Sequence, residues 1–223
     1  NEAPNLDKLL PRLRKEVPEA CIIVVDDNSP DGTPALLAGM AAADSHIVPV
    51  VREGKLGYGT AILAGMRRAL ELGAERIATM DADFSHDPAD VPRLLQALDQ
   101  ADVAIGSRYF QGVRILNWQI SRLLLSLFAN RYVKTILGFQ VEDATSGFRA
   151  YRRPAVEVLV TSRIDSFGYS FLVEVLYCLF RRGFRLTEVP IVYTERREGQ
   201  SKMSRKVIRE AVVRPWILRL LGR

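Results

Sequence analysis

The sequence predicts an α/β protein with a mostly parallel, doubly wound sheet and helices on both faces. Two observations support this fold class. Apolar, strand-like runs alternate with segments of helical periodicity, the order that parallel strands with crossover helices require. Polar loops follow successive strands, and open α/β sheets bind ligands outside the carboxyl ends of their strands. We therefore expect the functional loops along one edge of the sheet.

Length, composition and charge restrict the class of protein. The chain has 223 residues, 48% of them hydrophobic, and no internal repeat or low-complexity linker divides it. We therefore expect one domain over residues 1–223. The formal net charge is +5, and Arg and Lys concentrate after residue 105, which indicates a surface that meets phosphate groups or an acidic membrane. These charges form no aromatic-studded patch, so nucleic-acid binding is not expected.

Cysteine use and hydropathy bear on the compartment. Cys21 lies in an apolar run and Cys178 in a helical pattern, so both are expected to be buried and reduced. The sequence shows neither a stretch of roughly 18 apolar residues nor a signal peptide. We expect a reducing compartment and a protein that is soluble or lies on a membrane.

The chain begins with a predicted helix and a predicted strand. The leucines at helical spacing are Leu6, Leu9, Leu10 and Leu13. Residues 21–25 are uninterrupted and β-branched, which is typical of a parallel strand buried on both faces. The strand ends in a loop of turn formers, where Asp27 could accept hydrogen bonds from a nucleobase. An Asx turn is the alternative interpretation.

A second strand over residues 47–51 leads into a glycine-containing loop over 52–60. Glycines before a helix let the backbone approach a phosphate, and Lys55 adds a positive charge. The loop lacks the Walker spacing and the Gly-x-Gly-x-x-Gly of dinucleotide sites, so alone it is weak evidence. The helix that follows is expected to bury Leu63, Met66, Ala69 and Leu70.

The central feature is the run over residues 76–88, an apolar strand that ends in Asp81 and Asp83. Like charges held this close repel unless a cation lies with them, and Mg²⁺ or Mn²⁺ prefers carboxylate and phosphate oxygens. The simplest occupant is a metal-bound diphosphate. The alternative is a solvated turn that caps the helix beginning near Pro88. That helix is expected to bury Val91, Leu94, Leu95 and Leu98.

Arginines follow the next predicted strand, over residues 102–109. In a helix within the segment 114–138, Arg122 and Ser126 are four residues apart and so share a face. Arg108, Arg122 and Ser126 could converge on one phosphate, because a guanidinium matches phosphate oxygens. Ordinary solvated arginines are the alternative. The apolar face of this helix, about residues 120–128, could rest on a membrane.

The last third of the chain is less regular. Residues 142–151 are polar and turn-like, residues 167–174 open a helix, and residues 186–192 form a strand whose Pro190 predicts an edge position. A helix over about 203–221 is basic and amphipathic, so it could lie in a membrane interface or, equally, pack against the sheet.

Between that strand and that helix lies a charged, glycine-containing loop over residues 195–202. Such a loop is expected to be mobile at the surface. It could close over a nucleotide diphosphate with Arg196 and Lys202. A solvated charge run is the commoner explanation.

Six segments match a known family in order: residues 1–2, 25–33, 80–86, 105–109, 145–149 and 199–202. On these motifs the chain resembles the dolichol-phosphate or polyprenol-phosphate mannose synthases, inverting family 2 glycosyltransferases with the Rossmann-like GT-A fold. The resemblance covers nearly the whole chain, and several motifs look most like those of actinobacterial polyprenol-phosphate mannose synthases.

The resemblance implies transfer of mannose from GDP-mannose to a polyprenyl monophosphate, with inversion at the anomeric carbon and with Mg²⁺ or Mn²⁺ as cofactor. The enzyme would be peripheral on the cytoplasmic face of a membrane, with a separate membrane-anchoring subunit or domain as a further expected partner. The same acceptor with another donor, such as UDP-glucose, is one alternative. A non-catalytic nucleotide or lipid-phosphate binding module is another.

The resemblance also implies roles for individual residues. Those expected at the donor are Glu2, Asp26, Asp27, Lys55, Asp81, Arg196 and Lys202. Those expected at the metal are Asp81, Asp83 and Ser85, and those at the acceptor phosphate are Arg108, Arg122 and Ser126. Asp83, Arg108 and Arg122 would be catalytic, together with Asp143 as a candidate for orienting the sugar or acceptor.

The sequence departs from the family pattern in two places. The family's first strand and the start of its Tyr-Asn-Glu loop would precede Asn1, so part of the expected nucleoside pocket lies outside this sequence. Relatives often carry two glycines where this chain has Gly112 and Val113, which affects the expected loop conformation.

Overall fold

A computed structural model describes residues 2–166, 168–195 and 205–221. The helices in this part are α1 (Ala3–Glu16), α2 (Thr33–Ala43), α3 (Tyr58–Glu71), α4 (Val91–Ala97), α5 (Ile120–Leu137), α6 (Arg153–Thr161), α7 (Gly168–Arg181) and α8 (Arg205–Leu221). The strands are β1 (Ile22–Asp26), β2 (Ile47–Val51), β3 (Arg76–Thr79), β4 (Val103–Ser107), β5 (Ile115–Leu116), β6 (Arg149–Arg152), β7 (Leu186–Pro190) and β8 (Tyr193–Thr194).

The strands pair in three groups, and most of the pairs are parallel. The largest sheet has the order β3-β6-β4-β7, while β1 pairs with β2 and β5 pairs with β8. The pairs β1/β2, β4/β7 and β5/β8 are parallel, whereas β6 is antiparallel to both of its neighbours. The predicted α/β class with a mostly parallel sheet is confirmed.

Helices cover both faces of the largest sheet. In β4, Val103 and Ile105 face a cluster that includes residues of α5, α6 and α7. Ala104, between them, faces a second cluster with the leucines of α1 and α4. Because β4 is buried on both faces, a nearly continuous apolar run is suited to this position. The four leucines predicted for α1 are all buried.

Strand β6 differs from the sequence expectation. Residues 142–151 are predicted to be turn-like, but Arg149–Arg152 pairs with β3 on one side and β4 on the other. Its polar appearance is misleading because Arg149 is itself fully buried. The guanidinium donates to the backbone oxygens of Leu172 (2.9 Å) and Ala144 (2.8 Å).

Two expectations for the first strand are wrong. Residues Ile22–Val25 are only half-buried, because the described residues pair β1 with β2 alone. Cys21 is exposed, since it lies one residue before the paired segment. Cys178 is buried as expected. At the other end of the fold, β7 with Pro190 is an edge strand, as predicted.

The C-terminal helix packs on other helices and makes its main contacts with α5 and α7. Tyr132 of α5 donates to the carbonyl of Val212 (2.8 Å) and accepts from Trp216 Nε1 (2.9 Å). Arg214 donates to both oxygens of the buried Glu174 of α7. The segment predicted as helical over 114–138 begins with β5, so its helix starts only at Ile120. Within the described ranges, no helix has the length and apolarity needed to cross a bilayer.

Candidate active site

Asp81 and Asp83 lie in the turn that directly follows β3, at the carboxyl end of the strand as predicted. The backbone N–H of Ser85 donates to Asp83 Oδ1 (3.1 Å), which holds that carboxylate in the turn. Ser85 is buried, and its carbonyl accepts from the N–H of Thr194 in β8 (3.3 Å). We call residues 81–86 the carboxylate turn. This hydrogen bond joins the carboxylate turn to the β5/β8 pair.

His86 supports the turn from inside the protein. Its Nδ1 accepts from the N–H of Asp81 (3.3 Å), and its ring stacks on Phe148 with centroids 4.8 Å apart. Burial lowers the pKa of His86, against the opposing effect of Asp81 and Asp83. The neutral imidazole can therefore accept the Asp81 hydrogen bond at neutral pH.

Tyr58 and Gly147 define the other side of Asp81. The Tyr58 hydroxyl donates to Asp81 Oδ1 (3.4 Å). A Cβ atom on Gly147 would lie 2.5 Å from that hydroxyl and 3.8 Å from Asp81 Oδ1, so glycine leaves the space that Tyr58 occupies. Thr79 Oγ1 fixes the backbone of Gly147 by donating to its carbonyl (3.0 Å). The sequence motif includes Gly147, but sequence reasoning missed Tyr58.

Asp26 and Asp27 follow β1, as expected for residues near a nucleoside. Asp26 is buried and accepts from the N–H of Ser29 (2.9 Å), so it shapes the loop. Asp27 Oδ1 accepts from Arg52 Nε (2.7 Å), and Arg52 also donates to Thr60 Oγ1 (2.8 Å). Sequence reasoning missed Arg52, although its position directly after β2 was a usable signal.

Glu2 and Lys55 are also predicted at the donor. Glu2 lies at the start of α1 and accepts from the Asn5 side chain (2.6 Å). The next N–H, of Ala3, donates to Asp31 (3.2 Å), which brings this helix end to the loop after β1. Lys55 is exposed on the glycine-containing loop between β2 and α3. Arg196 and Lys202 lie outside the described residues.

Arg108 and Asp143 form a buried ion pair. Arg108 Nε and Nη2 each donate to one carboxylate oxygen of Asp143 at 2.7 Å, and the backbone N–H of Arg108 adds a third bond at 3.0 Å. Burial opposes ionisation of Asp143, but Arg108 outweighs it and holds the pKa of the carboxyl below its usual value. Arg108 also donates to Thr145 Oγ1 (2.8 Å). Asp143 therefore positions Arg108.

Three aromatic residues, Tyr109, Trp118 and Tyr193, surround the Arg108 guanidinium; we call them the aromatic cluster. Its ring centroids lie 5.4, 5.5 and 5.4 Å from the guanidinium carbon. Tyr193 also contacts His86 edge-on, with centroids 5.7 Å apart, and Trp118, 5.5 Å apart. The aromatic cluster thus connects His86, which supports the turn containing Asp81, with Arg108.

Arg122 and Ser126 lie on the other side of the cluster. The Arg122 guanidinium carbon is 4.2 Å from the Trp118 ring centroid, and the guanidinium forms an ion pair with Glu195. Ser126 Oγ accepts from the Tyr109 hydroxyl (2.6 Å). The fold therefore gathers the three predicted phosphate ligands around Tyr109 and Trp118. No sequence pattern had indicated Trp118 or Glu195.

The carboxylate turn suits a hard divalent cation. In the described part of the chain, no three His, Cys, Asp or Glu side chains come together as a metal site. Mg²⁺ characteristically binds through one or two carboxylates plus substrate phosphate. Two carboxylates on one turn fit that coordination, and the backbone N–H of Ser85 donates to Asp83. The predicted contact between Ser85 and the metal stays a prediction.

Comparison with known proteins gives matches over most of the chain. The sequence model for glycosyl transferase family 2 matches residues 1–160. A polyprenol monophosphomannose synthase of Mycolicibacterium smegmatis is 45% identical, covering 98% of this chain and 84% of that protein. An undecaprenyl-phosphate mannosyltransferase of Micrococcus luteus is 43% identical, covering 96% and 88%. The resemblance drawn from the motifs is confirmed.

Solved structures share the GT-A fold at low sequence identity. Glucosyl-3-phosphoglycerate synthase of Mycobacterium tuberculosis, in complex with Mn²⁺, UDP and phosphoglyceric acid, matches with a TM-score of 0.68 and 19% identity, covering 98% of this chain and 75% of that one. A mannosyltransferase of Pyrobaculum calidifontis, in complex with GDP-Man and Mn²⁺, matches with a TM-score of 0.60 and 16% identity, covering 100% and 61%. At these identities the likeness establishes the fold.

Proposed function

Because the chain belongs to glycosyl transferase family 2, we propose that it transfers mannose from GDP-mannose to a polyprenyl monophosphate, with inversion at the anomeric carbon. The observation that carries the proposal is the aromatic cluster, which joins the Asp81 and Asp83 turn to Arg122. A site for a metal-bound diphosphate then lies beside a site for a phosphate acceptor. The names of the two relatives support this acceptor class and this sugar.

On the donor side, Asp81 and Asp83 would hold Mg²⁺ or Mn²⁺. When bound, the cation would neutralise charge on the departing nucleoside diphosphate. Tyr58 and His86 keep the carboxylate turn in place through their hydrogen bonds to Asp81. The turn therefore needs little rearrangement when the donor arrives.

The nucleoside would lie against the loop after β1. Asp27 and Glu2 are the proposed contacts, while Asp26 fixes the loop backbone. Arg52 holds Asp27 and links it to the glycine-containing loop through Thr60, where Lys55 is available to the diphosphate. We also propose Arg196 and Lys202 as donor contacts, on the strength of their motif.

On the acceptor side, Arg122 and Ser126 would bind the phosphate directly. Arg108 is nearly enclosed and committed to Asp143, so its contribution is to support the rings of the aromatic cluster, which lie around its guanidinium. A phosphate monoester has a second pKa of roughly 6 and is largely dianionic at neutral pH. The acceptor is thus already nucleophilic. The protein aligns it on the sugar and needs no strong general base.

A membrane surface would present the lipid acceptor. The first half of α5 exposes Ile120 (75%), Leu124 (60%) and Phe128 (68%), and α8 exposes Trp216 and Leu220. Hydrogen bonds between Tyr132 and α8 join the two helices, so these side chains belong to one region. Exposed apolar groups next to a phosphate site suit a peripheral membrane enzyme, here placed on the cytoplasmic face.

The test is a donor panel with a short-chain polyprenyl monophosphate. We expect turnover with GDP-mannose and little with UDP-glucose. Asp83→Ala should abolish metal-dependent donor binding, whereas Arg122→Ala should raise the KM for the acceptor at least tenfold and leave GDP-mannose affinity nearly unchanged.

Equal use of UDP-glucose would refute the donor assignment. Binding of both ligands without release of GDP would indicate a binding module. Loss of nucleotide affinity in Arg122→Ala, measured by titration, would refute the acceptor role of Arg122.

A further inference from the structure

We propose that Glu195 is an internal competitor for the acceptor phosphate, and that Trp118 is the residue that keeps Arg122 in place while the two anions exchange. The Glu195 carboxylate forms an ion pair with the guanidinium of Arg122. Binding of the acceptor replaces this carboxylate with phosphate. The inference rests on the proposed function for the identity of the anion.

The position of Glu195 is set by a strand pair. Glu195 follows β8, and its N–H donates to the carbonyl of Leu116 in β5 (3.3 Å). Arg122 lies in the first turn of α5, a few residues after β5. The β5/β8 pair therefore brings the Glu195 carboxylate to the Arg122 guanidinium, although the two residues are 73 positions apart in the sequence.

Trp118 packs against the Arg122 guanidinium, which is also paired with Glu195. The guanidinium carbon is 4.2 Å from the Trp118 ring centroid, closer than the 5.5 Å of Arg108. Trp118 is itself packed edge-on against Tyr193. Stacking uses the π-face of the guanidinium and leaves its N–H edge to an anion. Trp118 can therefore stay in contact whichever anion is bound.

Exchange is favourable because the existing pair is weak and its replacement is strong. The Arg122 and Glu195 side chains are 35% and 33% exposed, and partly exposed ion pairs contribute little because water screens them. A dianionic phosphate offers more charge and more acceptor oxygens in a geometry that suits a guanidinium. The carboxylate lowers affinity for the incoming anion without preventing its binding.

If the Glu195 carboxylate and the phosphate simply exchange on Arg122, the carboxylate affects the Kd values of all anions in the same way. If Glu195 must leave before any anion binds, it raises every apparent Kd by the same factor, the reciprocal of the fraction of chains with Arg122 released. If Glu195 instead stayed beside the bound phosphate, it would repel a dianion more than a monoanion. The two arrangements differ in how removal of the carboxylate affects ligands of different charge.

The experiment compares Glu195→Gln with Glu157→Gln by calorimetric titration at pH 8. Glu157 pairs with Arg153 on α6, so its substitution makes the same change in net charge away from the site. The ligands are a short-chain polyprenyl monophosphate and its monoanionic methyl ester. We expect Glu195→Gln to lower both Kd values by one common factor, about twofold to fivefold, and Glu157→Gln to change neither.

Trp118 is tested with the same ligands. Trp118→Leu should raise both Kd values about tenfold because the stacking partner is lost. Trp118→Phe keeps a ring and should recover most of the affinity. Equal affinities in the Leu and Phe variants would remove Trp118 from the proposal.

Unchanged or weaker binding in Glu195→Gln would overturn the competitor role, as would a gain confined to the monophosphate. These titrations require no donor and no turnover. Normal acceptor binding without mannosyl transfer would therefore refute the proposed function alone. Normal transfer with unaltered acceptor affinity in Glu195→Gln would refute this inference alone.

Discussion

At the scale of single residues, Asp143 and Gly147 show how closely the site is fitted. Both lie in the segment that leads into β6, and each acts through a neighbour. Asp143 holds Arg108 beneath the aromatic cluster, and Gly147 leaves room for the Tyr58 hydroxyl beside Asp81. Neither need touch a substrate to affect the reaction.

Asp143→Asn should destabilise the protein severely. The pair with Arg108 is almost completely buried, and removing one charge from such a pair leaves the other buried without compensation, at a cost of about 3–5 kcal/mol. Urea unfolding should report this loss. The matched control is Glu157→Gln, whose surface pair with Arg153 should contribute less than about 1 kcal/mol. Similar stability changes in the two variants would contradict the buried pair.

The same pair determines part of the acid response. The folded-state pKa of Asp143 is lowered, so its stabilising contribution is present above the unfolded-state pKa of about 3.9 and is lost as the pH falls through the folded value. Below pH 4 the unfolding free energy should fall more steeply in the parent protein than in Asp143→Asn. Parallel stability curves in this range would exclude the contribution.

Gly147→Ala should weaken metal-dependent nucleotide binding by about tenfold, which corresponds to about 1.4 kcal/mol. The new methyl group would displace Tyr58 and disturb Asp81. The control is Gly39→Ala in α2, where a Cβ meets no atom within 4 Å and alanine should be neutral or stabilising. Titration with Mn²⁺ and GDP measures the difference. Wild-type affinity in Gly147→Ala would show that the Tyr58 contact is dispensable.

At the scale of elements, the two halves of α5 lie in different surroundings. Its first half exposes apolar side chains and carries Arg122 and Ser126, whereas its second half buries Val133, Ile136 and Leu137 in the core. The two proposed phosphate ligands therefore lie on a helix whose other half is buried in the core. The proposed acceptor residues and the proposed membrane surface therefore lie on the same half of one helix.

The double variant Ile120→Glu with Phe128→Glu should lose association with anionic liposomes. Both side chains are more than two-thirds exposed, so folding stability should change little while the apolar surface acquires charge. Flotation measures association and thermal unfolding provides the folding control. Leu72→Glu, at the exposed end of α3, should float like the parent protein. Unaltered flotation of the double variant would place the membrane surface elsewhere.

At the scale of the whole molecule, the proposed donor and acceptor sites meet at the aromatic cluster. The carboxylate turn belongs to the β3 side of the sheet, and Arg122 belongs to α5 and the β5/β8 pair. His86, Tyr193 and Trp118 connect them through ring contacts. The proposed metal site and the proposed membrane surface therefore lie on different parts of the protein.

Chelation of divalent metal should separate these functions. With excess EDTA we expect loss of GDP-mannose binding and transfer, because Asp81 and Asp83 would then face the diphosphate without a cation. Liposome flotation and acceptor titration should remain within about twofold of their values with metal. Added Mn²⁺ or Mg²⁺ should restore transfer. Full transfer in EDTA would remove the metal from the mechanism.

Local patterns in the sequence were sufficient for much of the fold. The leucine spacing of α1, the strand before Asp81 and the edge position implied by Pro190 are all confirmed. The expected burial of that strand is wrong, because Ile77 is the one buried residue of β3. In each case the signal lies within a few residues, because helical and strand periodicities and proline's missing N–H act locally. The ordered motifs likewise indicated the family, which the comparisons confirm.

Only the tertiary structure decided which distant residues meet. It placed the polar β6 between β3 and β4, exposed Cys21, and brought Arg52 to Asp27 and Glu195 to Arg122. Such contacts depend on strand order and on loops closing over tens of residues, and periodicity within one segment carries no record of either. A charged side chain looks the same in the sequence whether it faces water or a buried partner.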